Sequence, residues 1–192
     1  MRVVIAKKSK LEMCHLNKFP GRSSAIVIII AWLLTMPIAA DAATTTIVAF
    51  GASNTFGKGV KRGEAYPAHL EKLLRAKGLD IKVINAGISG NATGQMLKRI
   101  KSDVPSNTDI VIFQPGRNDL RKGGTLKSLK TNIKKINKRL KRRNINVIRL
   151  KNSHLKQIAK NYPRPDGQHF LSPGYKALAR LIMPDVLALI GK

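Results

Sequence analysis

Ile47 to Gly59 reads IVAFGASNTFGKG, an apolar run that ends in a glycine-rich turn carrying a serine. A β-branched run stopped by glycine predicts a strand followed by a loop. Two chemistries compete for that loop: a phosphate cradle, or a nucleophile at Ser53. A phosphate loop needs Gly, four residues, then Gly-Lys-Ser/Thr. Here five residues separate Gly51 from Gly57, and Gly59 follows Lys58. The dinucleotide pattern G-x-G-x-x-G is also absent, and Thr55 stands where the nucleophile elbow G-x-S-x-G has its second glycine. Ser53 must therefore be judged by its possible partners.

Three more β-branched runs follow, so strands are predicted at Thr45–Phe50, Ile81–Asn85, Asp109–Gln114 and Ile145–Leu150. All four are nearly continuously apolar, as buried parallel strands are. Helical patterns separate them. One opens at Tyr66-Pro67, carries Leu70, Leu73 and Leu74, and stops at Gly78. Thr93 is the expected cap of a second, with Met96, Leu97 and Ile100 inward. A third spaces Leu126, Leu129, Ile133, Ile136 and Leu140 by three and four, so the whole stripe should dock on the sheet. Ser172-Pro173 starts the last, with Leu178, Leu181, Ile182, Val186 and Leu189 inward. Alternating strands and helices predict a three-layer α/β/α sandwich around a parallel sheet of four or five strands. Ligands in such folds bind beyond the carboxyl ends of the strands.

Those loops hold the candidate partners. A serine hydroxyl needs a histidine base, and the histidine needs a carboxylate to hold its tautomer. His69, near Glu71, reads as a surface or partly buried helix residue, and His154 as a solvated loop or helix residue. His169 differs. In RPDGQHFLSPGY, Asp166 stands three residues before it across Gly167, in a loop bounded by Pro165 and Pro173. NAGISGNATG follows the second strand with Gly87, Gly90 and Gly94, and QPGRNDL follows the third with Asn118. A backbone N–H at Gly90, the N–H of Ser53 and the amide of Asn118 would supply three oxyanion donors. Each segment alone reads as a turn; their order and position favour a site.

With those blocks in order, the sequence resembles the SGNH, or GDSL-type, esterase/lipase family, from about Thr45 to the last helix. FGASNTFGKGV resembles the nucleophile block at Ser53, NAGISGNATG the oxyanion-glycine block at Gly90, and GRND the oxyanion-asparagine block at Asn118. DGQHFLSPGYKALA resembles the acid–base block at Asp166 and His169. The resemblance is nearest the bacterial exported thioesterase/lysophospholipase branch. It implies a flavodoxin-like hydrolase fold, a Ser53–His169–Asp166 triad acting on an ester or thioester, and no metal or organic cofactor. Ala52 replaces the family's aspartate before the nucleophile. The segment from Asn118 to Asp166 is short for the family and leaves little room for a further helix and strand. Two other readings stand beside a lipid or thioester hydrolase: a carbohydrate acetylesterase, and a non-catalytic binder of anionic envelope polymers.

Charge and the N-terminal region bear on location. Lys7, Lys8, Lys10, Lys18 and Arg22 precede an apolar run from Ala25 to Ala40, and Ala40-Asp41-Ala42 forms a small-residue cleavage pattern. Residues 1–42 thus read as a signal peptide and 43–192 as the mature domain, exported to the periplasm or secreted. Met13 offers an internal start. The alternative is an uncleaved membrane anchor, although the apolar run is shorter than the ~20 residues a spanning helix needs. Cys14, the single cysteine, lies in that leader, so no disulfide-linked partner is expected of the mature part. The chain carries +26. The first 42 residues hold six Lys/Arg and two Asp/Glu, which leaves +22 on the remainder. Between Arg121 and Arg143, 11 of 23 residues are basic and none acidic. That segment is a candidate contact for anionic membrane or polysaccharide. Export and the lack of interleaved aromatics argue against nucleic acid as the natural partner.

Overall fold

Residues 44–191 are described by the structure, a computed structural model. The expected signal peptide lies outside them. Thr45–Gly51 forms β1, and every residue after Thr45 is buried. Its pleat sends Ile47 and Ala49 into one apolar cluster and Val48 and Phe50 into another. Burial on both faces is why the run shows no alternation of polar residues.

The order along the chain is β1, α1 (Ser53–Phe56), a 3-10 turn (Arg62–Glu64), α2 (Tyr66–Arg75), β2 (Ile81–Gly87) and α3 (Thr93–Asp103). Then come β3 (Ile110–Gln114), α4 (Asn118–Arg121), α5 (Leu126–Lys141), β4 (Asn146–Arg149), α6 (Asn152–Ala159) and α7 (Ser172–Ile190). The strands form one parallel sheet in the order β2-β1-β3-β4. On one face, Leu70 and Leu74 of α2, Leu155 and Ile158 of α6, and Leu178, Ile182 and Val186 of α7 cover Ile47, Ala49, Ile110 and Ile112. On the other, Met96 and Ile100 of α3 with Ile136 and Leu140 of α5 cover Val48, Phe50, Val111 and Phe113. Each fully buried side chain of this size contributes about 1.5–3 kcal/mol through transfer from water. The predicted three-layer sandwich is therefore present, with four strands.

Four expectations are corrected. β2 and β4 are edge strands, so Lys82, Asn146 and Val147 are exposed rather than buried. The stripe of α5 buries fully only Ile136 and Leu140, with Leu129 and Ile133 half-buried, and Leu126, the first residue of the helix, is 57% exposed. Thr93 does not cap α3 but is its first residue, with Ala92 before it. Finally, the chain between β4 and Asp166 does hold a helix, α6, while no fifth strand occurs among the described residues.

Candidate active site

The site assembles where β1, β3 and β2 end side by side. Register pairs Gly51 with Gln114 on one flank and with Gly87 on the other. α1 begins two residues beyond Gly51 and lies directly on these ends. A Cβ on Gly51 would fall 2.2 Å from Thr55 Oγ1, and one on Gly87 would fall 2.2 Å from the backbone nitrogen of Phe56. Gly87 needs glycine because helix backbone passes over it, and Gly51 because the Thr55 side chain and the Gln114 carbonyl crowd it; neither has an unusual dihedral. The single turn closes at Gly57, which is left-handed with φ 86° and donates to the Ser53 carbonyl at 3.0 Å.

Gln114 then ties the turn to β3. Its Oε1 accepts from the backbone N–H of Ala52 at 3.1 Å and from Thr55 Oγ1 at 3.3 Å, in a buried setting. Position 52, where the resembled family carries aspartate, is a buried alanine whose backbone N–H is held by the Gln114 amide of β3.

Asp166, Gly167 and His169 form a tight turn before α7. Asp166 Oδ1 accepts the backbone N–H groups of Gln168 at 2.9 Å and His169 at 2.7 Å. Gly167 takes φ 72° to allow this. The other oxygen, Oδ2, meets His169 Nδ1 at 2.5 Å, and His169 Nε2 meets Ser53 Oγ at 2.8 Å. The His169 side-chain bond, followed by the Gln168 and His169 backbone bonds, holds the Asp166 carboxyl well below the usual carboxylate range. The loop is nailed into the core by Phe170, which is fully buried and meets Tyr175 edge-on at 5.8 Å. Tyr175 donates through its hydroxyl to the Lys58 carbonyl at 3.0 Å, linking α7 to the loop after α1.

Ser53 and Asn118 line one open cleft of about 170 Å³. One hydrogen of the Asn118 amide is committed to the Asn91 carbonyl at 2.9 Å. Asn118 is thereby fixed to the loop that carries Gly90. Gly90 itself has φ 77°, with open space at its α-carbon, and is not among the residues lining the Ser53 cleft. Ser53, His169 and Asp166 are thus brought into one hydrogen-bonded chain, Asn118 to the same cleft, and Gly90 to its neighbouring turn.

Three supporting residues were not anticipated. Gln114 is one; a polar residue ending an apolar strand run was the available signal. Asp119 is the second: it is buried, and its carboxylate accepts from the N–H of Thr93 at 3.0 Å and from Thr93 Oγ1 at 2.5 Å, so α4 is clamped to the start of α3. Arg99 is the third. Its guanidinium reaches the carbonyls of Gly51 at 2.9 Å and Ala86 at 2.8 Å, Asn91 Oδ1 at 2.8 Å and Asp103 at 2.6 Å. It also lies 4.4 Å from the Phe50 ring centroid. His69 sits half-buried on α2 near Ser172 Oγ at 3.3 Å, and burial pushes its imidazole below the ordinary value. His154 is on α6. Neither touches Ser53. No group of three or more potential metal ligands occurs among the described residues.

The model of the GDSL-like Lipase/Acylhydrolase family matches residues 49–183. An arylesterase of Vibrio mimicus is 31% identical over 111 residues, covering 57% of this chain and 56% of that protein. AlinE4, an SGNH-hydrolase family esterase of solved structure, is 38% identical over 55% of this chain and 58% of its own, with a TM-score of 0.51. The chain thus spans little more than half the length of these two relatives. The structure of TesA superposes over 76% of this chain and 99% of its own with a TM-score of 0.67; at 19% identity it supports the shared fold.

Proposed function

This chain belongs to the GDSL-like lipase/acylhydrolase family, and from that premise we propose that it is a serine hydrolase of carboxylic esters or thioesters. The carrying observation is the continuous chain from Ser53 Oγ through His169 to Asp166. A hydroxyl 2.8 Å from an imidazole nitrogen can lose its proton as it attacks a carbonyl carbon. In this reading Ser53 Oγ bonds to that carbon and its proton passes to His169 Nε2. Asp166 accepts from Nδ1–H and stabilises the imidazolium. The carbonyl oxygen becomes an oxyanion, met by the Asn118 amide and the N–H groups of Ser53 and Gly90. Collapse breaks the bond to the alcohol or thiol, which leaves with the proton from His169. Water then attacks the acyl-serine, giving one proton to His169, which returns it to Ser53 as the acid departs. No step calls on a cofactor.

Ser53→Ala removes the attacking atom. Purified protein should hydrolyse short-chain nitrophenyl esters, and the variant should lose at least about 10³-fold in kcat/KM while staying folded. Full activity in Ser53→Ala would end this assignment. The proposal extends to location: residues 1–42 direct export and are removed, and N-terminal sequencing of protein recovered outside the cytoplasm should begin at Ala43. It extends also to the face of α5, where Lys127, Lys130, Lys134 and Lys138 are exposed, with Arg142 exposed just beyond its end. Contact with anionic lipid there is worth about 1 kcal/mol per basic residue. Retention on anionic but not neutral vesicles checks it.

A further inference from the structure

The proposed nucleophile sits in a cleft whose charged lining is entirely basic. Arg117 comes from the loop after β3, Arg121 from the end of α4, Lys156 from α6 and Arg164 from the loop before Asp166. No Asp or Glu among the described residues lines this cleft. None of the four cations has a carboxylate within ion-pair distance among the described residues, where the recorded pairs are Arg75–Glu71, Arg99–Asp103 and His169–Asp166. Two of the four are held in position by neutral groups. Arg121 Nη1 donates to Gln168 Oε1 at 2.5 Å, across to the loop of His169. The Arg164 guanidinium lies 5.8 Å from the Phe170 ring centroid. Unpaired cations converging from four segments on one cleft raise its potential, and a concave wall focuses that field.

The cleft is also small, about 170 Å³, and among the described residues Leu155 is its single large apolar lining residue. That volume and polarity suit a short acyl group rather than a long alkyl chain. The charge must then be met by the other half of the substrate. Resting on the serine-hydrolase reading above, we propose that the substrate is a short-acyl ester of an anionic alcohol, one bearing a carboxylate or phosphate within reach of Arg117, Arg121, Lys156 and Arg164.

The test uses the purified full chain and three acetyl esters: 4-acetoxybenzoate, 4-acetoxyphenyl phosphate and the neutral methyl 4-acetoxybenzoate. The readout is the ratio of kcat/KM for each anion to that for the neutral ester, which cancels any loss common to all three. The cleft variant is Arg117→Gln with Arg164→Gln. The control is Lys77→Gln with Lys82→Gln, which changes the net charge equally at exposed positions by the other end of β2. At low salt the wild-type ratio should exceed about ten and fall several-fold at about 0.5 M salt, where screening is strong. The cleft variant should lose about tenfold in the ratio and the control should keep it. A higher ratio for the phosphate than for the carboxylate identifies a phosphate-bearing alcohol, and the reverse a carboxylate-bearing one. An unchanged ratio in the cleft variant, or an equal loss in the control, overturns the proposal and leaves the hydrolase reading intact. Failure of the wild type to hydrolyse any of the three overturns the hydrolase reading itself.

Discussion

Gly87→Ala tests how Ser53 is positioned. Gly87 closes β2, and a Cβ there would lie 2.2 Å from Phe56 N, 2.6 Å from Thr55 C and 2.7 Å from Phe56 Cα. All three are backbone atoms of α1 or its end, so no side-chain rotation relieves the overlap. Ordinary contact requires a displacement of about 1 Å between β2 and α1. α1 is a single turn with Ser53 as its first residue, and Ser53 Oγ lies 2.8 Å from His169 Nε2. Moving α1 by about 1 Å takes that pair beyond hydrogen-bond reach. A misplacement of this size costs roughly 10²-fold in rate, and the overpacking costs about 1–3 kcal/mol in stability. Gly63→Ala is the control: nothing lies within 4 Å of its added methyl. It should stay within about 0.5 kcal/mol of the parent. Short-ester kcat/KM, normalised to the folded fraction from urea unfolding, reads both variants. Parental rate and stability in Gly87→Ala would refute the argument that close backbone approach over Gly87 sets the position of Ser53.

Arg99→Met removes the guanidinium from over the Phe50 ring and takes a donor from four acceptors, of which the Gly51 carbonyl keeps the Ile88 N–H. We expect a loss of about 2–4 kcal/mol in urea unfolding, since each buried group left unpaired costs about 1–3 kcal/mol and water reaches some of them. Activity should fall further than the folded fraction, because Gly51 and Asn91 flank Ser53 and Gly90. Asp166→Asn should lower kcat by about 10⁴ with KM little changed, as loss of the carboxylate frees the wrong histidine tautomer. The same variant carries a pH signature. Asp166 is depressed below its ordinary 3.8, so its charge stabilises the fold above that value and the benefit is lost as pH falls below it. The Tm gap between parent and variant should be constant from neutral pH to mild acid and shrink below about pH 3.8. Tyr175→Phe should cost about 1 kcal/mol in thermal unfolding through the lost bond to the Lys58 carbonyl.

The parts of this molecule that were legible in the sequence are those with a period or a short spacing. β1 and β3 are buried on both faces and so read as unbroken apolar runs; α2 and α7 show stripes at helical spacing. Asp166 and His169 were legible as a pair because one turn satisfies both, at positions three apart. What escaped depends on contacts between segments far apart in the chain. α1 and α4 have four residues each, less than the length at which a period can appear. Gln114 supports Ala52 across 62 positions, and Arg99 reaches Gly51 across 48. Neither contact exists until the order β2-β1-β3-β4 sets those strand ends beside each other. The exposure of Leu126 is likewise not legible: the stripe of α5 runs for its full length, but only Ile136 and Leu140 are fully buried. Ala52 likewise shows in sequence only as a replacement for the family's aspartate, because the amide that holds its backbone N–H belongs to another strand.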